Sequence, residues 1–201
     1  GYNRRFAPAS ATVRRHFPDG TPLSVSFRFA PPYLPPDHWT QDPDVGGGRI
    51  IGEGCHAIDL CAAITGSVPV RVFAESVDKT AGVETTDDRV FITMRHANGS
   101  ISSVSYQAGG DRAFPAERIE VIGAGRNAVI ENWDAVQLWG GGEPKTLKGG
   151  KDKGHSQGFL AFVDACRKGS AWPVSWEHLR AVSWASIAAV ESLRTGYTVS
   201  D

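Results

Sequence analysis

Glu53, His56 and Asp59 recur every third residue in an apolar run that follows Gly46-Gly47-Gly48-Arg49. A carboxylate, an imidazole and a second carboxylate at that spacing are a set that moves protons. A neutral histidine can take a proton from a hydroxyl, and a neighbouring carboxylate can hold its tautomer and stabilise the imidazolium. The spacing predicts a helix over Gly52–Thr65, stopped by Gly66. At ~100° per residue the three polar groups share one stripe. The other positions are almost all apolar, so the helix is buried and its stripe must face a polar cleft or buried partners. Residue types alone leave two readings open. In one, His56 is an acid/base group in a cleft where glycines let a substrate approach the backbone. In the other, Glu53 is a first-turn carboxylate suited to the helix dipole and His56 is hydrogen-bonded in the core. A metal-dependent hydrolase built on Glu53, His56 and Asp59 is a third use of the same groups. Zinc on Cys55, His56 and Cys61 matches no usual ligand spacing.

The elements that must position this stripe come from a chain of 201 residues, enough for one domain with a core or slightly more. Hydrophobic content of 41% and charged content of 21% belong to a globular protein, and a net charge of −1 argues against nucleic acid or an anionic membrane as partner. No stretch approaches the ~20 apolar residues of a membrane span. The opening Gly1-Tyr2-Asn3-Arg4-Arg5-Phe6 has no apolar run behind it, so a signal peptide is not expected. Met94 is the single methionine, and the expectation is a piece of a longer, cytoplasmic protein. Cys55, Cys61 and Cys166 sit in apolar helical patterns and are expected as buried, reduced thiols.

A short helix is predicted from Pro8, with proline in the first turn. Leu23–Phe29 alternates as a strand, followed by a proline-rich loop through His38 and Trp39. Beyond Gly66 the period changes to two. Val70–Val77, Arg89–His96, Ile101–Gln107, Arg118–Ile122, Ala128–Asn132 and Val136–Trp139 read as strands joined by short links, Asn98-Gly99 among them. That implies a mainly antiparallel meander. Two helices follow. The first is Ser156–Lys168, with Phe159, Leu160, Phe162, Val163 and Cys166 toward the core. The second is Trp176–Thr195, capped by Ser175 and stopped by Gly196. Gly123-Ala124-Gly125 imitates a dinucleotide fingerprint. The residues after it, Val129-Ile130-Glu131-Asn132-Trp133, are β-rich rather than helical, so Gly123–Asn127 is predicted to be a hairpin turn.

Gly1-Tyr2-Asn3-Arg4-Arg5-Phe6-Ala7-Pro8, then Pro36-Asp37-His38-Trp39, then Gly46–Asp59 resemble the C-terminal domain of the Gfo/Idh/MocA oxidoreductases. The resemblance is nearest to the branch in which this module is fused behind an alcohol-dehydrogenase-like domain. It implies an α+β fold of the dihydrodipicolinate-reductase-like kind, a large, mainly antiparallel open sheet with helices on one face. It also implies residues 1–20 as the end of, or seam with, a Rossmann domain outside this sequence, and 21–201 as the substrate and oligomerisation domain. NAD or NADP would be bound mainly by that other domain, with Asn3 and Arg4 reaching it at the seam. The implied partners are a sugar-type substrate, the chain's own Rossmann domain and further copies meeting through the open sheet; this piece is expected to be inactive alone. The family's catalytic Lys belongs to the Rossmann domain, and Glu143-Pro144-Lys145 has the wrong order to replace it. The family's His falls on His56. Its usual Asp, four residues earlier, is Gly52 here, and Glu53 lies one residue later, ~100° round the helix. The expected site is therefore His56 as acid/base with Glu53 as partner, and Arg4, Arg28, His38, Trp39, Arg49 and Asp59 around the substrate. A non-catalytic carbohydrate-binding or assembly module is the alternative.

Overall fold

A computed structural model of the protein describes residues 1–42, 44–77 and 88–201. Among the described residues nine strands form one sheet, in the order β8-β7-β6-β5-β1-β4-β3-β2-β9. Seven of them are β1 (Ser24–Phe29), β2 (Pro69–Ser76), β3 (Arg89–His96), β4 (Ile101–Gln107), β5 (Glu117–Gly123), β6 (Arg126–Glu131) and β7 (Ala135–Trp139). The sequence pattern does not reveal the two edge strands. All four residues of β8 (Lys145–Lys148) are exposed, without apolar alternation, and β9 (Val199–Ser200) is only two residues long. Every strand pair is antiparallel except β1–β4. The sequential meander is split there, because β1 inserts between β4 and β5. The link from β4 to β5 therefore crosses the end of β1, where Ala30 N–H donates to Ala116 O and Gly109 N–H to Pro31 O. The hairpin expected at Gly123–Asn127 is present. Gly123 pairs with Arg126, and Ala124 and Gly125 both take the positive φ of a two-residue turn.

Alternation along the strands sends Val25, Phe27, Val72, Val90, Ile92, Val104, Ile119, Val121 and Ile130 into one core. Three helices cover that face. α1 (Pro8–His16) lies over β6 and β7, α2 (Cys55–Thr65) over β1 and β4, and α4 (Trp176–Thr195) over β2. Within residues 1–20, the expected seam, Ala7, Val13 and Phe17 are buried in the common core. Among the described residues no helix is long and apolar enough to cross a membrane.

α3 (His155–Lys168) departs from expectation. Phe159, Leu160 and Phe162 are 68%, 64% and 50% exposed, Cys166 is exposed, and Ala165 is the helix's buried residue. Small residues face the body instead. Gly154 packs so closely on the N-terminal turn that a Cβ there would lie 2.4 Å from Ala7 N, and a Cβ on Gly158 would lie 3.0 Å from the Phe6 ring. Apolar periodicity marks a face that needs cover, and it does not say which of two faces the small residues have already claimed.

Candidate active site

The helix carrying the stripe begins irregularly. Ile50–Gly54 forms a π turn, in which Cys55 N–H reaches back five residues to Ile50 O. A π turn holds an extra residue, so a separation of three no longer places Glu53 above His56. Glu53 instead points to a buried network. Its Oε2 accepts from Arg49 Nε at 2.8 Å, Arg49 Nη2 at 2.5 Å and Tyr106 O–H at 2.5 Å. Arg49 is fully buried, donates to Pro32 O at 3.1 Å and stands 3.8 Å from Asp88. Burial, then the Glu53 carboxylate, pushes the Tyr106 phenol far above its usual range. The expected Glu53–His56 pair is thus not formed. The Arg49–Glu53 spacing of four could have signalled their bond from the sequence; nothing in the sequence marked Tyr106.

His56 faces a separate cleft of about 900 Å³, bounded by Tyr2, Gly52, Cys55, His155 and the aromatic wall of Phe159, Phe162, Trp172 and Trp176. Among the described residues its Nδ1 is buried without a hydrogen-bond partner. Burial, then the positive charge of Arg4, lowers its pKa, so the ring is neutral at pH 7. The neighbouring Cys55 thiol is pushed up to about 11, first by burial and then by Asp59, and is no nucleophile at neutral pH. Tyr2, His155 and the aromatic wall escaped the sequence reading because they come from distant segments with no shared spacing.

Asp59 is fully buried and committed elsewhere. It accepts from Arg5 Nε at 3.0 Å and pairs with His178 Nε2 at 3.0 Å, and Arg5 and His178 also touch. This cluster ties the N-terminal turn to α2 and α4. The three groups of the predicted stripe therefore have three different environments and do not converge on one metal. Arg4 forms a two-point bond with Glu117, at 2.8 and 2.9 Å, and lies over the Phe29 ring. Asn3 Nδ2 donates to Lys153 O at 2.8 Å. Both side chains are buried, and Asn3 also lines the His56 cleft. Arg28 lies on the opposite, open face of the sheet, over Phe114 and bonded to Pro115 O. His38 accepts from Thr40 Oγ1 at 2.6 Å and Trp39 is exposed; their turn packs against the glycine loop. A Cβ on Gly46 would sit 2.5 Å from Thr40 Cα, so glycine there serves loop packing.

A dinucleotide needs a glycine turn between a strand and a helix whose N-terminus faces the pyrophosphate. The glycine turn at residues 123–126 joins two antiparallel strands, and the Asn3 amide and Arg4 guanidinium are bonded to Lys153 O and Glu117. The described residues do not fit such a cofactor by themselves.

Solved structures share the fold. The aldose–aldose oxidoreductase of Caulobacter crescentus, complexed with glycerol, gives a TM-score of 0.78 at 18% identity over 100% of this chain and 63% of that one. An oxidoreductase from Agrobacterium radiobacter, in complex with NAD+, L-tartaric acid and magnesium, gives 0.76 at 18% over 99% and 63%. UDP-N-acetylglucosamine 3-dehydrogenase from Acidithiobacillus ferrooxidans gives 0.76 at 18% over 96% and 60%. The chain thus spans less than two thirds of each, and at these identities the likeness is one of fold. No curated protein matches it in sequence. Residues 19–128, more than half of the chain, match the sequence pattern of the GFO/IDH/MocA C-terminal domain, and the chain belongs to that family.

Proposed function

We propose that this chain is the substrate-binding and oligomerisation part of a cytoplasmic NAD(P)-dependent oxidoreductase acting on a sugar or similar polyol. We place it in the branch where the module follows an alcohol-dehydrogenase-like domain. The carrying observation is His56, a neutral histidine with no hydrogen-bond partner at the wall of a large cleft in a member of this oxidoreductase family. A histidine kept only for the core would have its nitrogens bonded, as His96 has. The chain's share of the chemistry is acid–base and positional. His56 Nε2 takes the proton of a substrate hydroxyl as the carbon it belongs to loses hydride, and Tyr2 and the aromatic wall exclude water. A nicotinamide held by another domain supplies the hydride acceptor.

Arg49 and Glu53 set the entry turn of α2 and Asp59 fixes its middle, so all three position His56 rather than bond to it. His155 shares the cleft and is a further candidate for the substrate. The stacked Phe162–Trp172 pair, 5.3 Å between centroids, favours a second reading as a carbohydrate-binding module without chemistry. Turnover separates the two: the full-length protein should reduce NAD+ or NADP+ with at least one member of a polyol and aldose panel. Sugar binding with no nucleotide reduction across the panel would select the binding module. The open sheet face is the proposed contact between copies. Sedimentation of the chain should show a dimer or larger, and a monomer at all concentrations would remove this part of the proposal.

A further inference from the structure

We propose that the open face of the sheet binds a phosphate-type oxyanion between Arg71 and Arg95. The two residues are directly paired across β2 and β3, and alternation turns both away from the core. Directly opposed side chains on a sheet have Cβ atoms ~5 Å apart, and like charges at that distance destabilise the pair unless an anion lies between them. A register shift between Pro69 and Arg71 bends β2 at this point, and the face is hollowed there into a depression of about 640 Å³.

The lining suits an oxyanion and nothing in it competes. Ser24, Thr93, Ser103 and Ser200 bring hydroxyl groups to the same depression, and no carboxylate is among the described residues that line it. Asp201, next along the chain from Ser200, gives its carboxylate to Arg180. Arg95 Nη1 donates to Gly99 O at 3.0 Å, which fixes that guanidinium and leaves its other N–H groups free to donate. Arg71 has no ion pair or hydrogen bond among the described residues. Two guanidinium groups, one already held in place, with hydroxyls around them, are the donors that a phosphoryl group recognises. This depression and the His56 cleft share no lining residue, so the site is independent of the chemistry proposed there; it lies on the face proposed as the contact between copies, so an oxyanion held there would sit within that contact.

The test is a titration of the chain with inorganic phosphate at constant ionic strength, followed through the arginine side-chain N–H resonances, with sedimentation of the same samples. Sugar phosphates and nucleoside monophosphates form parallel arms that identify the source of the phosphoryl group. The expected result is a saturable shift at Arg71 and Arg95, with Arg71→Gln and Arg95→Gln each weakening it at least about tenfold. Melting of the two variants in phosphate-free buffer should match or exceed that of the original chain, since each relieves a like-charge pair. A linear, unsaturated response, or equal binding by both variants, would overturn the proposal. So would loss of the phosphate response at high protein concentration together with reduced self-association of the variants, which would assign the pair to a carboxylate of a second copy.

Discussion

Tyr2 stands edge-on to His56, with 5.7 Å between ring centroids and an interplanar angle of 87°. The N-terminal turn thereby forms one wall of the cleft and contributes to the burial that keeps the imidazole neutral. Removing that ring should admit water and raise the pKa of His56 toward the ordinary histidine value of about 6.5. NMR titration of the imidazole resonances checks this. His56 should titrate below that value in the original chain and measurably higher in Tyr2→Ala. An unchanged midpoint would show that Tyr2 does not shield the ring.

Glu117 should be the most sensitive polar residue of the fold. Beyond Arg4, its carboxylate accepts from Trp133 Nε1 at 2.9 Å and from Lys153 Nζ at 2.7 Å. Burial alone would raise its pKa; the Arg4 and Lys153 bonds bring it below the usual range. Glu117→Ala leaves buried Arg4 uncompensated and should cost roughly 3–5 kcal/mol in denaturant unfolding. Arg4→Met combined with Glu117→Leu should recover part of that loss, because no buried charge is left unpaired: the part-exposed Lys153 ammonium turns to solvent, while the buried Trp133 N–H still loses its acceptor.

His96 should make the fold acid-sensitive. It is buried, with Nδ1 on Ser67 O at 3.1 Å and Nε2 on Ser102 Oγ at 2.8 Å, and burial pushes its pKa down to about 4. The unfolded chain takes up this proton near pH 6.5 and the folded chain only near 4. Between those values the unfolded state holds more protons, so stability falls as pH falls, by up to about 3 kcal/mol across the window, and is unaffected by this group above it. Urea unfolding at stepped pH should show the slope, and His96→Gln should flatten it even though that variant is less stable at pH 7.

The isolated chain should not bind NAD(P) tightly, since its glycine turn at residues 123–126 connects two strands and no helix follows it. Calorimetric titration should give no heat of saturable binding at micromolar concentrations; a micromolar dissociation constant would require a cradle elsewhere in the chain.

Short-range pattern carried much of this architecture into the sequence. Alternation in Arg89–His96 and Ile101–Gln107 fixed those strands to the residue, because one face is buried along their whole length. Gly66 marked the end of α2, and it adopts the left-handed conformation there. Long-range choices left no such trace. The insertion of β1 between β4 and β5 depends on a crossing loop, and the outward face of α3 on small residues meeting Phe6. In the site, one irregular turn decided the outcome. A regular helix puts Glu53 beside His56, whereas the π turn hands Glu53 to Arg49 and Tyr106. Arg5 and His178 reach Asp59 from 54 and 119 residues away, beyond any local periodicity.

The proposed role of His56 meets its most direct test in His56→Asn, measured for both melting of this chain and turnover of the full-length protein. Nδ1 has no partner to orphan, so melting should be nearly unchanged. Turnover should fall about 10²–10⁴-fold, the usual worth of general acid–base catalysis. Glu53→Gln is the control. It should lower stability through Arg49 and Tyr106 and leave the pH midpoint of turnover in place. A strongly destabilised His56→Asn chain, or a full-length variant with unimpaired turnover, would contradict the assignment of His56 as the acid/base group.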